Sequence, residues 1–335
     1  MLPERSPSHR SHALTEGFPH AREVMIAEFA LFRRNCSCLP PPVKRFTPRE
    51  GAIKLPDDDR LSRRCQFQTT DFAFAADVET HRPLSGLLRM IQVEALTKLY
   101  GEFVAVNELG FEVKPGEVMG LVGPNGAGKT TTLRCLSGII PPTRGSIHIC
   151  GYDLGRDAIA AKQQLAFFSD EPRLFDYLTV EQHLAFVARI YQVKDYEPVA
   201  DQLLEELEIA GKRNALPGEL SRGMKQKLAI ACGLLHAPRV IYFDEPLTGL
   251  DPLGIRRMKD SILKRARDGA AIIISSHLLH LVEEICSHIL ILKNGRKIAH
   301  GTLAEITLQF AAQAGETNLE EVFFRATSEA EKESH

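Results

Sequence analysis

At 335 residues with 25% charged side chains, the chain is long enough to bury a substantial core without disulfide staples, and it leaves room for two domains. Its 41 Lys and Arg against 43 Asp and Glu leave a formal net charge of -2, which excludes binding of nucleic acid by bulk basicity. No apolar run approaches the roughly 18 residues that a membrane span requires, so any role at a bilayer falls to a partner chain.

Residues 1–89 hold nine of the 19 prolines and 14 basic against 11 acidic side chains, with no sustained helical or strand period. Only Phe18 to Phe32 reads as a helix, and it is no secretory signal, because acids interrupt it and no cleavage-like site follows. Such a composition predicts disorder, and this part is read as an N-terminal extension or a misassigned start with no catalytic role. Met90 is a plausible first residue. The seven cysteines are odd in number and the later four lie in apolar stretches, so they read as reduced, mostly buried thiols of a cytosolic protein. Cys36 and Cys38 have no second Cys or His pair at metal spacing, and no zinc is expected.

From residue 91 the texture changes. Strands are expected near 91–96, 103–106, 110–113, 118–122, 146–149, 165–169, 239–243, 271–275 and 288–293, followed by a turn at Asn294-Gly295. Helices are expected at 128–137, 179–191, 198–209, 221–235, 253–268 and 278–286, with a helical tail over 306–335. Apolar strands alternating with helices indicate a mostly parallel sheet covered on both faces. The mainly helical stretch of about 170–235 separates two strand-rich portions and is expected to be an inserted subdomain within a unit spanning 90–305.

The apolar run Val118 to Val122 leads directly into Gly123-Pro124-Asn125-Gly126-Ala127-Gly128-Lys129-Thr130, and a helix-forming run from Thr131 follows. This is a phosphate-binding loop in the strand–loop–helix setting that such a loop needs. Its glycines let backbone N–H groups close around phosphates, and the helix that follows adds its positive dipole end. Lys129 supplies a point charge for the β- and γ-phosphates, and the Thr130 hydroxyl is placed to coordinate Mg²⁺. The fold class is read as α/β, a P-loop NTPase with a mostly parallel sheet and an inserted helical subdomain, and an antiparallel β portion is expected beside it.

A second apolar run, Val240 to Phe243, ends in Asp244-Glu245-Pro246. A buried parallel strand delivers its last residues to the carboxyl edge of the sheet, where ligands of open α/β folds bind. Asp244 can hold Mg²⁺ through water, and Glu245 can orient or deprotonate an attacking water.

With these residues in order, the sequence resembles the ABC ATPase family over roughly 91–300. Leu220-Ser221-Arg222-Gly223-Met224-Lys225-Gln226 resembles the signature motif L-S-G-G-Q and stands 23 residues before Asp244. Thr248-Gly249-Leu250-Asp251-Pro252 resembles the D-loop, and His277 resembles the switch histidine. Tyr100 matches the aromatic residue on which adenine stacks. Phe168-Ser169-Asp170-Glu171-Pro172 aligns with the Q-loop, with Asp170 where glutamine usually contacts Mg²⁺ and the attacking water. Arg222 and Met224 are further departures, standing for a glycine and a glutamine.

The resemblance implies ATP and Mg²⁺ as ligands, with Ser221 and the backbone at Gly223 meeting the γ-phosphate held by the opposite subunit of a homodimer or pair of like subunits. It also implies a separate transmembrane permease subunit and a peripheral location at the cytoplasmic face of the plasma (inner) membrane. The tail Asn318 to Phe324 resembles a closing motif of efflux-type systems, pointing to export of drugs, lipids or ions. A soluble ABC ATPase without a transporter, serving cofactor assembly or translation, is the alternative. DNA-repair relatives would interrupt the fold with coiled coils or zinc modules, and a phosphotransferase would need a substrate pocket that no motif announces.

Overall fold

The computed structural model describes residues 89–246, 252–310 and 319–332. The chain divides after Asp77, and all of the described residues lie in the second unit, Val78–His335. The expectations for residues 1–88 therefore fall outside the described residues.

Two sheets organise this unit. The smaller is antiparallel in the order β2-β1-β4-β5, from β1 (Ile91–Tyr100), β2 (Phe103–Val113), β4 (Arg144–Ile149) and β5 (Tyr152–Asp153). The larger has the order β10-β9-β3-β8-β7-β6, from β3 (Val118–Val122), β6 (Leu165–Phe168), β7 (Val240–Asp244), β8 (Ala271–Ser275), β9 (His288–Lys293) and β10 (Arg296–Thr302). Its neighbours run parallel except for β10, which returns antiparallel along β9 after the turn at Asn294-Gly295.

The helices are α1 (Lys129–Leu136), α2 (Ala158–Gln163), α3 (Val180–Tyr191), α4 (Glu197–Glu206) and α5 (Arg222–Leu234). After β7 come α6 (Pro252–Arg267), α7 (Leu279–Ile285), α8 (Leu303–Phe310) and α9 (Leu319–Lys332). Between the parallel neighbours β6 and β7 the described chain holds no strand and carries α3, α4, two single 3₁₀ turns and α5.

Alternation along the larger sheet divides its side chains between two cores. Val118, Val122, Ile241, Phe243, Ile272, Ile274, Ile289 and Ile291 face the core that the α3–α7 helices cover. Met119, Leu121, Val240, Tyr242, Ala271, Ile273, Leu290 and Leu292 face a second core shared with Ile91, Val93 and Leu96 of β1 and Leu133 and Leu136 of α1. Burial on both faces is why these strands read as unbroken apolar runs, the mark of parallel strands. The carboxyl ends of β3, β7 and β8 come out side by side, and the site is built there.

Cys135, Cys150 and Cys286 are buried and Cys232 half-buried, all free. Burial pushes the Cys135 and Cys150 thiols up to about 11 and those of Cys232 and Cys286 up to about 12. They are inert packing residues.

Two histidines of the helical region make folding pH-dependent. His183 accepts the Phe175 N–H at Nε2 (3.0 Å) and donates from Nδ1 to the Thr179 carbonyl (2.8 Å), so its neutral tautomer is fully used. Burial lowers its pKa. His236 stacks on Tyr191 at 3.8 Å between centroids, and burial pushes it down to about 4. An unfolded chain would take up protons near pH 6.5, before the folded one does, so this stability is complete above that pH and is lost towards pH 4. For His236 alone the expected loss by pH 5 is about 2 kcal/mol, or roughly 4–8 °C in melting temperature. His236→Phe, which keeps the ring stack, should flatten a thermal-melting profile between pH 7 and 5; an undiminished drop in that variant would refute the assignment.

Candidate functional site

The phosphate loop leaves β3 and turns back on itself through the Ala127 N–H to Pro124 carbonyl bond (3.1 Å). Gly128 opens α1 with φ +99, and a Cβ there would lie 2.5 Å from the Ala105 carbonyl oxygen of β2, so only glycine fits. The loop is braced from outside by the β9–β10 turn, whose Gly295 N–H bonds the Ala127 carbonyl (3.0 Å) while its carbonyl accepts from Asn107 of β2 (2.8 Å). The first turn of α1 holds no acidic residue and its cap has no side-chain bond, which leaves N–H groups free for an anion.

Lys129 folds into this cradle. Its ammonium donates to the carbonyls of Gly123 (2.7 Å) and Pro124 (3.2 Å). Burial lowers its pKa, opposed by the nearby carboxylates of Glu245 and Asp244. The Thr130 hydroxyl donates to Asp244 Oδ1 (3.3 Å), joining the loop to the end of β7.

Asp244 is buried and takes a second bond to the same oxygen from the Ser275 hydroxyl (2.7 Å). Parallel pairing of β7 with β8 sets Asp244 directly opposite Ser275. Ser275 also fixes the next acid, since the Glu245 N–H points at both its carbonyl and its hydroxyl (3.2 Å each). Glu245 leaves the strand in the left-handed region at φ +54, a conformation that costs a non-glycine residue about 1 kcal/mol or more. Its Oε2 meets His277 Nδ1 at 2.8 Å. An ionised carboxylate only accepts, so Nδ1 carries the proton and Nε2 of this exposed ring is left for another partner.

Thr130, Asp244, Glu245 and His277 are thus one hydrogen-bonded group, with Lys129 beside it in the loop. Ser275, which sequence reasoning passed over, is its link; only the β7–β8 register identifies it. The other expected residues stand elsewhere. Ser221 caps α5, its hydroxyl accepting the Met224 N–H (3.3 Å), with Gly223 in the helix's first turn. Asp170 follows β6, and its carboxylate meets Arg222 Nη2 at 3.2 Å rather than the Thr130–Asp244 pair. Tyr100 lies at the tip of the β1–β2 hairpin, 47% exposed, with Lys98 Nζ 5.2 Å from its ring centroid. Of the D-loop residues, Thr248, Gly249, Leu250 and Asp251 lie outside the described residues, and Pro252 opens α6.

These donors suit a hydrated magnesium ion shared with phosphates. Among the described residues no group of three or more His, Cys, Asp or Glu side chains could cage a metal, while Thr130 and Asp244 offer adjacent hard oxygens. Mg²⁺ characteristically takes one or two protein oxygens, several waters and substrate phosphates.

The ABC transporter family model matches residues 106–248. The ABC-type transporter ATP-binding protein EcsA of Bacillus subtilis is 32% identical over 244 residues, covering 72% of this chain and 98% of that protein. The Nod factor export ATP-binding protein I of Burkholderia pseudomallei is 37% identical over 213 residues, covering 63% of this chain and 70% of that one. A solved ATP-binding subunit of an ABC transporter superposes with a TM-score of 0.68 at 35% identity, over 71% of this chain and 99% of that one. The phosphate loop, the acids it meets at the sheet edge and this near full-length likeness to EcsA agree: the chain belongs to the ABC transporter ATP-binding family.

Proposed function

We propose that this chain binds Mg-ATP between two like subunits and hydrolyses it to drive export through a separate transmembrane permease, from the cytoplasmic face of the inner membrane. The observation that carries the reading is the Thr130–Asp244–Ser275–Glu245–His277 chain of hydrogen bonds, which sets an acid beside a phosphate loop. In it Gly123, Pro124, Asn125, Gly126, Ala127, Gly128 and Thr131 line the phosphates, Lys129 meets the β- and γ-oxygens, and Tyr100 stacks adenine. Thr130 and Asp244 hold Mg²⁺, which when bound neutralises charge gathering on the transferred phosphoryl group.

Glu245 takes the proton of the attacking water. His277, its Nδ1–H engaged by Glu245, turns Nε2 towards the γ-phosphate. Ser221 and Gly223 of the partner subunit's copy would close the site, burying two nucleotides at one two-fold interface. Such an interface forms with ATP and loosens once the γ-phosphate leaves, which supplies the differential affinity a conformational switch requires.

Export is supported by the Nod factor export relative and by the place of the closing segment. Leu319 and Val322 of α9 are fully buried in the helix-covered core, so that segment belongs to the fold. No helix among the described residues is long and apolar enough to cross a membrane, and this reading gives the cargo path to a separate permease chain. Native membranes, washed in high salt and cross-linked, should yield this chain bound to a multi-span protein. Recovery only from the soluble fraction, with no such protein attached, would favour the transporter-free alternative.

A further inference from the structure

Two departures from the family pattern, Asp170 and Arg222, are 52 residues apart in sequence and touch in space. Two other contacts fasten the same elements. Gln226, one helical turn beyond Arg222, is buried and donates from Nε2 to the Ser169 carbonyl (3.4 Å). Gly233 lies against the Phe168 ring so closely that a Cβ would stand 2.3 Å from Cε1. Positions 222, 226 and 233 fall on one face of a helix, so α5 is docked along β6 and Arg222 reaches the loop at its end. On its other side β6 pairs in parallel with β7 up to Phe168↔Phe243, so Asp170 and Glu245 each follow, two residues on, from the last pair of these neighbouring strands.

We propose that Arg222 and Asp170 are a matched pair, a charged coupling that ties the head of α5, which carries Ser221, to the loop beside Glu245. Arg222 is then a positioning residue for hydrolysis, acting through Asp170. The proposal rests on the reading that Ser221 meets an anion and Glu245 works on water. A glycine and a glutamine at these positions would make no ion pair. An arginine alone would leave a bare cation at the helix head, and an aspartate alone would add a third carboxylate to the edge that holds Asp244 and Glu245. Together the two charges cancel. The side chains are 58% and 45% exposed, and such exposed pairs contribute little to folding. Its worth therefore shows in coupled function rather than in stability.

The test is a double-mutant cycle in the full chain with Arg222→Gln, Asp170→Asn and both together, and a second with Arg222→Glu, Asp170→Arg and both together. Each neutral single should lower kcat for Mg-ATP roughly three- to tenfold. Binding of a fluorescent ATP analogue and the melting temperature should stay near wild type. The neutral double should be no worse than its poorer single, and the reversed pair should recover most of what each reversed single loses. Raising salt should bring wild-type kcat towards that of the neutral double, whose own profile stays flat, a response that simple structural damage would not give. Losses that multiply in the double, or a reversed pair no better than its singles, would overturn the pairing while leaving the ATPase reading intact. A wild-type chain that neither binds the analogue nor hydrolyses ATP would overturn that reading and the proposal with it.

Discussion

Replacing Glu245 with glutamine is expected to cut ATP turnover by roughly 10²–10⁴-fold, the usual worth of a general base, while leaving ATP affinity within a few-fold of wild type. The substitution preserves shape. The left-handed backbone at this position, fixed by the Glu245 N–H bonds to Ser275, does not depend on the carboxylate. An amide can still meet His277, but it has no basic oxygen to take a proton from water. Because the ATP-bound state would persist, the variant should also accumulate as a dimer on Mg-ATP addition. Single-turnover hydrolysis and light scattering on the same sample measure both effects. Near-normal turnover would remove Glu245 from its role, and a variant that stays monomeric at saturating ATP would break the two-subunit reading.

His277→Ala separates positioning from chemistry at the same place. The ring touches Glu245 at 2.8 Å, but it is exposed, and among the described residues its second nitrogen has no hydrogen-bond partner. Its loss should therefore slow hydrolysis without lowering stability.

The parts of the site that lie in continuous sequence are legible in it. The phosphate loop and the acidic pair each follow an apolar run, and an apolar run of five residues between loop signals is a buried strand wherever it falls. β3 accordingly sits where the pattern sets it, at Val118–Val122, and β7, expected at 239–243, is Val240–Asp244. Two separate strands expected at 103–106 and 110–113 are instead one, β2, because the polar interruption is a bulge: Glu108 turns to φ +49 and gives its N–H to the Thr97 hydroxyl (3.1 Å). Arg296–Thr302 lacks any alternation of apolar and polar residues and was missed as a strand, yet it pairs with β9 across the Asn294-Gly295 turn. The short α2 was not expected either, and α8 begins at Leu303, ahead of the tail assigned from 306.

Long-range pairing was the illegible part. Nothing near Ser275 in sequence says that it will bridge Asp244 and Glu245; that follows from strand order, which places β8 beside β7. Asp170 shows the same limit. Its contact with Arg222 is with a neighbour supplied by the helical stretch inserted between β6 and β7, which nothing near Asp170 in sequence announces.

Lys129→Ala should have the second large effect, on binding rather than turnover. The ammonium is half-buried with its pKa lowered by desolvation, and it rests on two carbonyl oxygens of its own loop. Incoming phosphate replaces those neutral acceptors with charged ones, and hydrogen bonds to charged groups are worth about 1.5–3 kcal/mol each. Removing the lysine should weaken ATP binding by roughly 10²-fold. Loss of fold is not the cause, since the loop keeps its brace at Gly295 and its cap at Gly128. The two explanations part in a thermal melt. Without nucleotide the variant should unfold near the wild-type temperature, but it should lose nearly all the stabilisation that ATP confers, which for wild type at 100 times its Kd is about 2.7 kcal/mol. A variant that still gains the wild-type shift with ATP would show that Lys129 does not bear on the phosphates, and with that the assignment of Gly123–Thr130 as their cradle would fall.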